Sequence, residues 1–108
     1  MDNDLEKENS QKDIQEIQNL EQSLNYILVE KQHFNLELSE TESALEEIEN
    51  SGEEVYRVIG NIMLKYEKDK IKQELEKKKK IIETRINNLE EQENSIMKKI
   101  ESIRNKLA

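Results

Sequence analysis

The sequence predicts a mainly α protein: a long antiparallel two-helix coiled coil with one central β-hairpin. Three observations carry that expectation. Two long arms repeat apolar residues at heptad spacing, a short β-branched segment separates them, and the two halves of the chain carry opposite net charge.

The first arm is expected over about residues 10–50. Ile17, Leu20, Leu24, Ile27, Lys31, Phe34, Leu38, Thr41, Leu45 and Ile48 step by alternating threes and fours, with Lys31 and Thr41 as the polar exceptions. A repeat held this long has a mean period of about 3.5, the signature of a left-handed coiled coil. Asn50-Ser51-Gly52 supplies a stop, with Gly52 able to take the left-handed conformation past the helix end.

The second element is the segment VYRVIGNIML at 55–64. Gly60-Asn61 joins two runs of strand formers, and Gly at the first central position suits a type II′ turn. That turn pairs Ile59 with Ile62, Val58 with Met63, Arg57 with Leu64, Tyr56 with Lys65 and Val55 with Tyr66. One face then carries Val55, Arg57, Ile59, Ile62, Leu64 and Tyr66; the other carries Tyr56, Val58, Met63 and Lys65. A lone two-stranded ribbon is marginal in water, and this one has two open edges and two apolar faces. Val55, Tyr56, Val58, Ile59, Gly60, Ile62, Met63 and Leu64 are therefore expected to form an assembly element over 54–66.

The third element is the second arm, about 69–107. Leu75, Lys79, Ile82, Ile86, Leu89, Glu93, Ile96, Ile100, Ile103 and Leu107 repeat the same spacing, and Asp69 is a candidate N-cap.

Charge pairs the arms with each other. Residues 1–54 hold sixteen acidic side chains against three lysines, whereas residues 55–108 hold nine acidic and fourteen basic ones. Two first arms side by side would repel; folding the second back on the first joins opposite signs. In such a pair the position numbers of facing residues have a constant sum, here 120 or 127, and the pattern leaves both open. Under either, Lys31 and Glu93 fall in neighbouring layers. They are expected to pair and to discourage heptad slips, the alternative being that each extends separately into solvent.

Composition excludes several function classes. Only 33% of the 108 residues are hydrophobic and 39% are charged, too little apolar surface for a compact single-chain core. The chain is read as one domain over 1–108. It has no cysteine, hence no disulfide or thiol chemistry. The polar start MDNDLEKENS is unlike a secretory signal, and no apolar run suits a membrane span. A cytoplasmic protein without cofactor or membrane is expected. The single histidine, His33, falls on the outer face of the first arm. Clustered carboxylates such as Glu46, Glu47 and Glu49 have no partner set to tune them, so catalytic residues and metal ligands are not expected. The lysine run Lys77–Lys80 is expected to pair with the acidic first arm near Glu46, Glu47 and Glu49 rather than to bind nucleic acid.

The layout of helix, hairpin and helix, with ALEEIE at 44–49, VYRVIGNIMLK at 55–65 and LEEQE at 89–93, closely resembles the β class of the prefoldin family, archaeal type. The resemblance covers essentially the whole chain, and the hairpin is its specific part. It implies a hexamer of two α and four β subunits, with hairpins joined into an intersubunit β-barrel platform. It further implies an ATP-independent chaperone, a holdase that binds nonnative proteins at coiled-coil tips and delivers them to a group II chaperonin. The expected partners are then a prefoldin α subunit, unfolded client proteins and that chaperonin. The tip here is made by both chain termini, so Leu5, Ile14, Ile17, Ile100, Ile103 and Leu107 are the candidate client contacts. Ile17, Ile100 and Ile103 are also seam positions. The alternative function is a coiled-coil tether or scaffold that binds one particular partner.

Overall fold

The structure, a computed structural model, describes Asp2–Ala108, with side chains from Asp4 onward. Four elements follow in order: α1 (Asp2–Asn50), β1 (Glu54–Ile59), β2 (Ile62–Glu67) and α2 (Lys68–Leu107). α1 begins ahead of the first heptad residue because the leading segment holds no helix breaker. Its early carboxylates also lie near the positive end of the helix dipole.

The chain divides into two compact units, Met1–Gln32 with Asn87–Ala108, and His33–Ile86. In the second unit a segment of α1 lies antiparallel to a segment of α2. Phe34 lies under the Arg85 guanidinium at 5.5 Å, and Glu37, Glu42 and Glu49 pair with Lys78, Lys79 and Lys72. These partners place Phe34 opposite Ile86 and Thr41 opposite Lys79, which is the register with a sum of 120. In the first unit the segments are again antiparallel, with Lys31 bridged to Glu90 and Glu93 and Glu21 bridged to Arg104. The lysine run therefore meets Glu37 and Glu42 rather than Glu46 and Glu47; of the expected acidic trio only Glu49 is paired, and with Lys72.

The buried residues are seam residues. Ile27 and Ile100 are buried in the first unit, and Thr41, Ile82 and Ile86 in the second. Thr41 is only 3% exposed, yet its hydroxyl is satisfied, because Oγ1 donates to the Glu37 carbonyl one turn back at 2.8 Å. A polar residue thus occupies the seam without an orphaned group.

Both helix ends near the hairpin differ from expectation. Gly60 is the one glycine with positive φ, so Gly52 does not take the left-handed conformation. α1 instead stops through Ser51, whose backbone N–H and hydroxyl both donate to the Ile48 carbonyl, at 3.2 and 2.7 Å. Two donors on one terminal acceptor close the last turn without a glycine cap. Asp69 is not the cap of α2, because the helix starts directly after β2 at Lys68. Asp69 sits in the first turn, where its charge complements the dipole.

The hairpin register pairs Glu54 with Glu67, Val55 with Tyr66, and so on to Ile59 with Ile62. Gly60 has φ of 58° and Asn61 does not have positive φ, the combination required by a type II′ turn and not by type I′.

Adjacent isoleucines test the packing. Ile82 is 3% exposed and Ile81 is 56% exposed. Ile82→Ala is expected to cost about 2–5 kcal/mol, and Ile81→Ala no more than about 0.5 kcal/mol. Chemical denaturation at one fixed protein concentration measures both.

Candidate interaction surfaces

The hairpin in the second unit is a two-stranded sheet, and among the described residues neither strand has a further partner. Strand alternation sends Tyr56, Val58 and Met63 to one face and Ile59, Ile62 and Leu64 to the other. All six are exposed, from 42% at Leu64 to 66% at Met63. Val55 and Tyr66, at the base of the ribbon, are half-buried.

Arg57 was missed as a functional residue because it looks out of place on an apolar face. Its guanidinium lies 5.5 Å from the Tyr66 ring centre and bridges to Glu74 on α2 at 3.3 Å. It thus ties the ribbon to the helix that follows it. Lys68 adds a second tie, donating to the Ser51 carbonyl at 3.0 Å. On the opposite face Glu54 accepts from Tyr56 Oη at 3.2 Å and from Lys65 Nζ at 3.4 Å. The polar groups of the ribbon are therefore engaged near its base, and its apolar part is left open.

In the first unit the six terminal candidates separate. Leu5, Ile14 and Leu107 are exposed, and Ile17 and Ile103 are half-buried in the seam. Ile100 is only 6% exposed. Its packing in the seam leaves only an edge of it accessible. Sequence reasoning also passed over Met97, which lies off the seam and is 51% exposed. Met97, Leu24 and the edge of Ile100 line a groove of about 580 Å³ beside the Glu21–Arg104 ion pair. The signal was present in the sequence: an unbranched, adaptable side chain one turn from a seam residue, on an otherwise polar face.

Lys31 and Glu93 are close in space. Lys31 Nζ donates to Glu93 Oε2 at 3.0 Å, and both side chains are about four-fifths buried, at 22% and 20% exposure. Neither charge reaches bulk water easily, so each needs the other. The Glu49–Lys72 pair is different, lying at the surface with side chains 55% and 38% exposed. The hydrogen bond from the Lys72 ammonium, with its charge, holds the Glu49 carboxyl below the usual range, and the same bond raises Lys72.

His33 is exposed, with its ring against the edge of Phe34. No group of His, Asp or Glu side chains among the described residues is arranged to hold a metal ion, and no described helix is long and apolar enough to cross a membrane.

This geometry matches known proteins. A family model described as "Prefoldin subunit" matches residues 11–108. Among solved structures, the crystal structure of the prefoldin beta subunit from Thermococcus strain KS-1 superposes with a TM-score of 0.84. The two sequences are 32% identical, over 91% of this chain and 88% of that one. No curated protein matches the chain.

Two measurements test the charged pairs. A double-mutant cycle of Lys31→Met and Glu93→Leu should give a coupling of about 1 kcal/mol, because Lys31→Met leaves Glu93 unpaired and Glu93→Leu leaves Lys31 only the longer contact to Glu90 at 3.9 Å. For the exposed pair, Glu49 with its depressed pKa contributes to stability above the usual carboxylate range, and that contribution fades as pH falls through its folded value. Carboxyl NMR titration should therefore find Glu49 below the usual range, with Lys72→Gln restoring it.

Proposed function

The chain belongs to the prefoldin subunit family, and on that premise we propose that it is a β-type subunit of an ATP-independent holdase. Prefoldins are a chaperone family, not known as enzymes, and a chaperone-subunit role follows from the membership. The finer reading has three parts. The hairpin joins those of other prefoldin subunits, including an α-type subunit, into a β-barrel platform. The residues of the first unit bind nonnative clients, and the clients pass to a group II chaperonin.

The single observation that carries this reading is a two-stranded sheet with exposed apolar side chains on both faces. Full burial of one such side chain is worth roughly 1.5–3 kcal/mol, so six supply roughly 9–18 kcal/mol. Association costs about 4–15 kcal/mol. The ribbon alone thus holds enough apolar surface to drive assembly, and its open edges offer main-chain partners for further strands.

Client binding is of another order. Leu5, Ile14, Met97 and Leu107 are separate exposed side chains, each worth about 1–2 kcal/mol when partly covered. Such contacts are weak and indifferent to sequence, which suits a holdase; several subunits acting on one client add avidity.

Removal of residues 1–16 and 101–108 tests the reading, with the chain co-expressed with a prefoldin α subunit. The truncated chain should assemble to the mass expected of a hexamer, yet fail to suppress aggregation of several unrelated clients. Undiminished suppression would sink the client-binding assignment. Suppression confined to one client in the intact protein would favour the tether.

A further inference from the structure

Half of the lysine run remains unexplained by pairing within the chain. Lys78 and Lys79 bridge to Glu37 and Glu42, whereas Lys77 and Lys80 make no ion pair among the described residues. Lys77 borders a groove of about 470 Å³ in the second unit, with Phe34, Ile81 and Ile82 as its apolar lining and Lys78 and Arg85 on its rim. Glu37 and Glu74 also line it, but each is engaged, with Lys78 at 3.7 Å and with Arg57 at 3.3 Å. Arg85 makes no ion pair among the described residues and lies over the Phe34 ring at 5.5 Å. The groove therefore presents two cations without carboxylates, Lys77 and Arg85, on either side of an isoleucine that is 56% exposed.

We propose that this groove docks an acidic peptide segment of a partner protein, one that carries a bulky apolar side chain between its carboxylates. The apolar side chain covers Ile81 against Phe34, and the flanking carboxylates meet Lys77 and Arg85. Charge selects the occupant: the surplus in the groove is positive, although the chain as a whole has a net charge of −8. Two carboxylates in the lining disfavour a nucleic-acid backbone, whose phosphates are continuous. Spaced carboxylates around an apolar group fit the groove, because they leave Glu37 and Glu74 unopposed by like charge. The site uses none of the residues assigned to client binding or to the hairpin surface, so it stands or falls separately from the proposed function.

The test is fluorescence anisotropy on the full-length chain. The probe is a short dye-labelled peptide of Glu and Ser with one central Phe, compared with the same peptide carrying Ser in place of Phe. The Phe probe should bind, more weakly as salt rises, and the Ser probe should bind about tenfold less well. Ile81→Ser, and separately the double change Lys77→Gln with Arg85→Gln, should each weaken the Phe probe about tenfold, equivalent to about 1.4 kcal/mol. Lys80→Gln, which removes one charge outside the groove, should change it less than about twofold. Equal binding of the two probes, equal effects of Lys80→Gln and the groove variants, or displacement of the probe by duplex DNA would overturn the proposal. Absence of probe binding together with a smaller assembly for Ile81→Ser would assign the groove to a second copy of this chain and overturn it equally.

Discussion

Charged residues in a coiled-coil seam are tolerated only where the opposite helix answers them, and that requirement sets the register of this protein. The seams of α1 and α2 contain four polar residues, Lys31, Thr41, Lys79 and Glu93. They are not dispersed. Thr41 shares a layer with Lys79, and Lys31 and Glu93 occupy adjacent layers and bond at 3.0 Å. A slip of one heptad to a sum of 127 would part Thr41 from Lys79 and set them against Ile86 and Ile48, while Lys31 and Glu93 would stay in neighbouring layers. Setting Lys79 against an isoleucine instead of a threonine loses a polar neighbour, which favours the sum of 120. The polar positions thus act as register marks, while Ile27, Ile82, Ile86 and Ile100 supply the burial.

With the helices aligned, the rest follows in sequence. α1 must end before the hairpin, and Ser51 ends it by doubling donors on the Ile48 carbonyl. β2 passes into α2 without an intervening loop. A ribbon attached this tightly needs restraint, which Arg57 supplies by stacking on Tyr66 and bridging to Glu74. Without such ties the two apolar faces would have a route to collapse onto nearby helix surface. Held in place, they remain available to other chains.

Much of this was legible in the residues. The arms, the hairpin register and the Gly60 turn all follow from local rules: heptad spacing, strand alternation and a glycine at the position where φ is positive. What remained hidden depended on comparison across the fold. The choice between the two registers was readable in principle, had the polar exceptions been matched with each other instead of the apolar residues; Thr41 opposite Lys79 is the clue. Gly52 misled because glycine after a helix usually caps it, whereas here a neighbouring serine does so first. Ile100 was both a terminal candidate and a seam position, and the structure places it inside, whereas Leu107, in the same phase at the last turn, stays exposed. Met97 went unnoticed for the converse reason, lying outside the phase and so outside attention.

The two proposed surfaces differ in chemistry, and the difference bears on what each can do. On the hairpin the exposed apolar residues are mainly β-branched or aromatic, fixed on a pleated surface and backed by main-chain groups with directional hydrogen bonds. Such a surface accepts a partner of complementary register and rejects others, since a slip of one residue exchanges the two faces. The proposed client contacts of the first unit, Leu5, Ile14, Met97 and Leu107, are Leu, Ile and Met on helices whose backbone bonds are satisfied internally, so only side chains offer contact. These side chains impose no register and can adapt to varied shapes. A surface of the first kind suits the defined assembly proposed above, and one of the second kind suits the proposed capture of chains without defined structure. One short chain supplies both because sheet and helix expose different parts of the same polymer: the former its backbone edges, the latter its side chains alone.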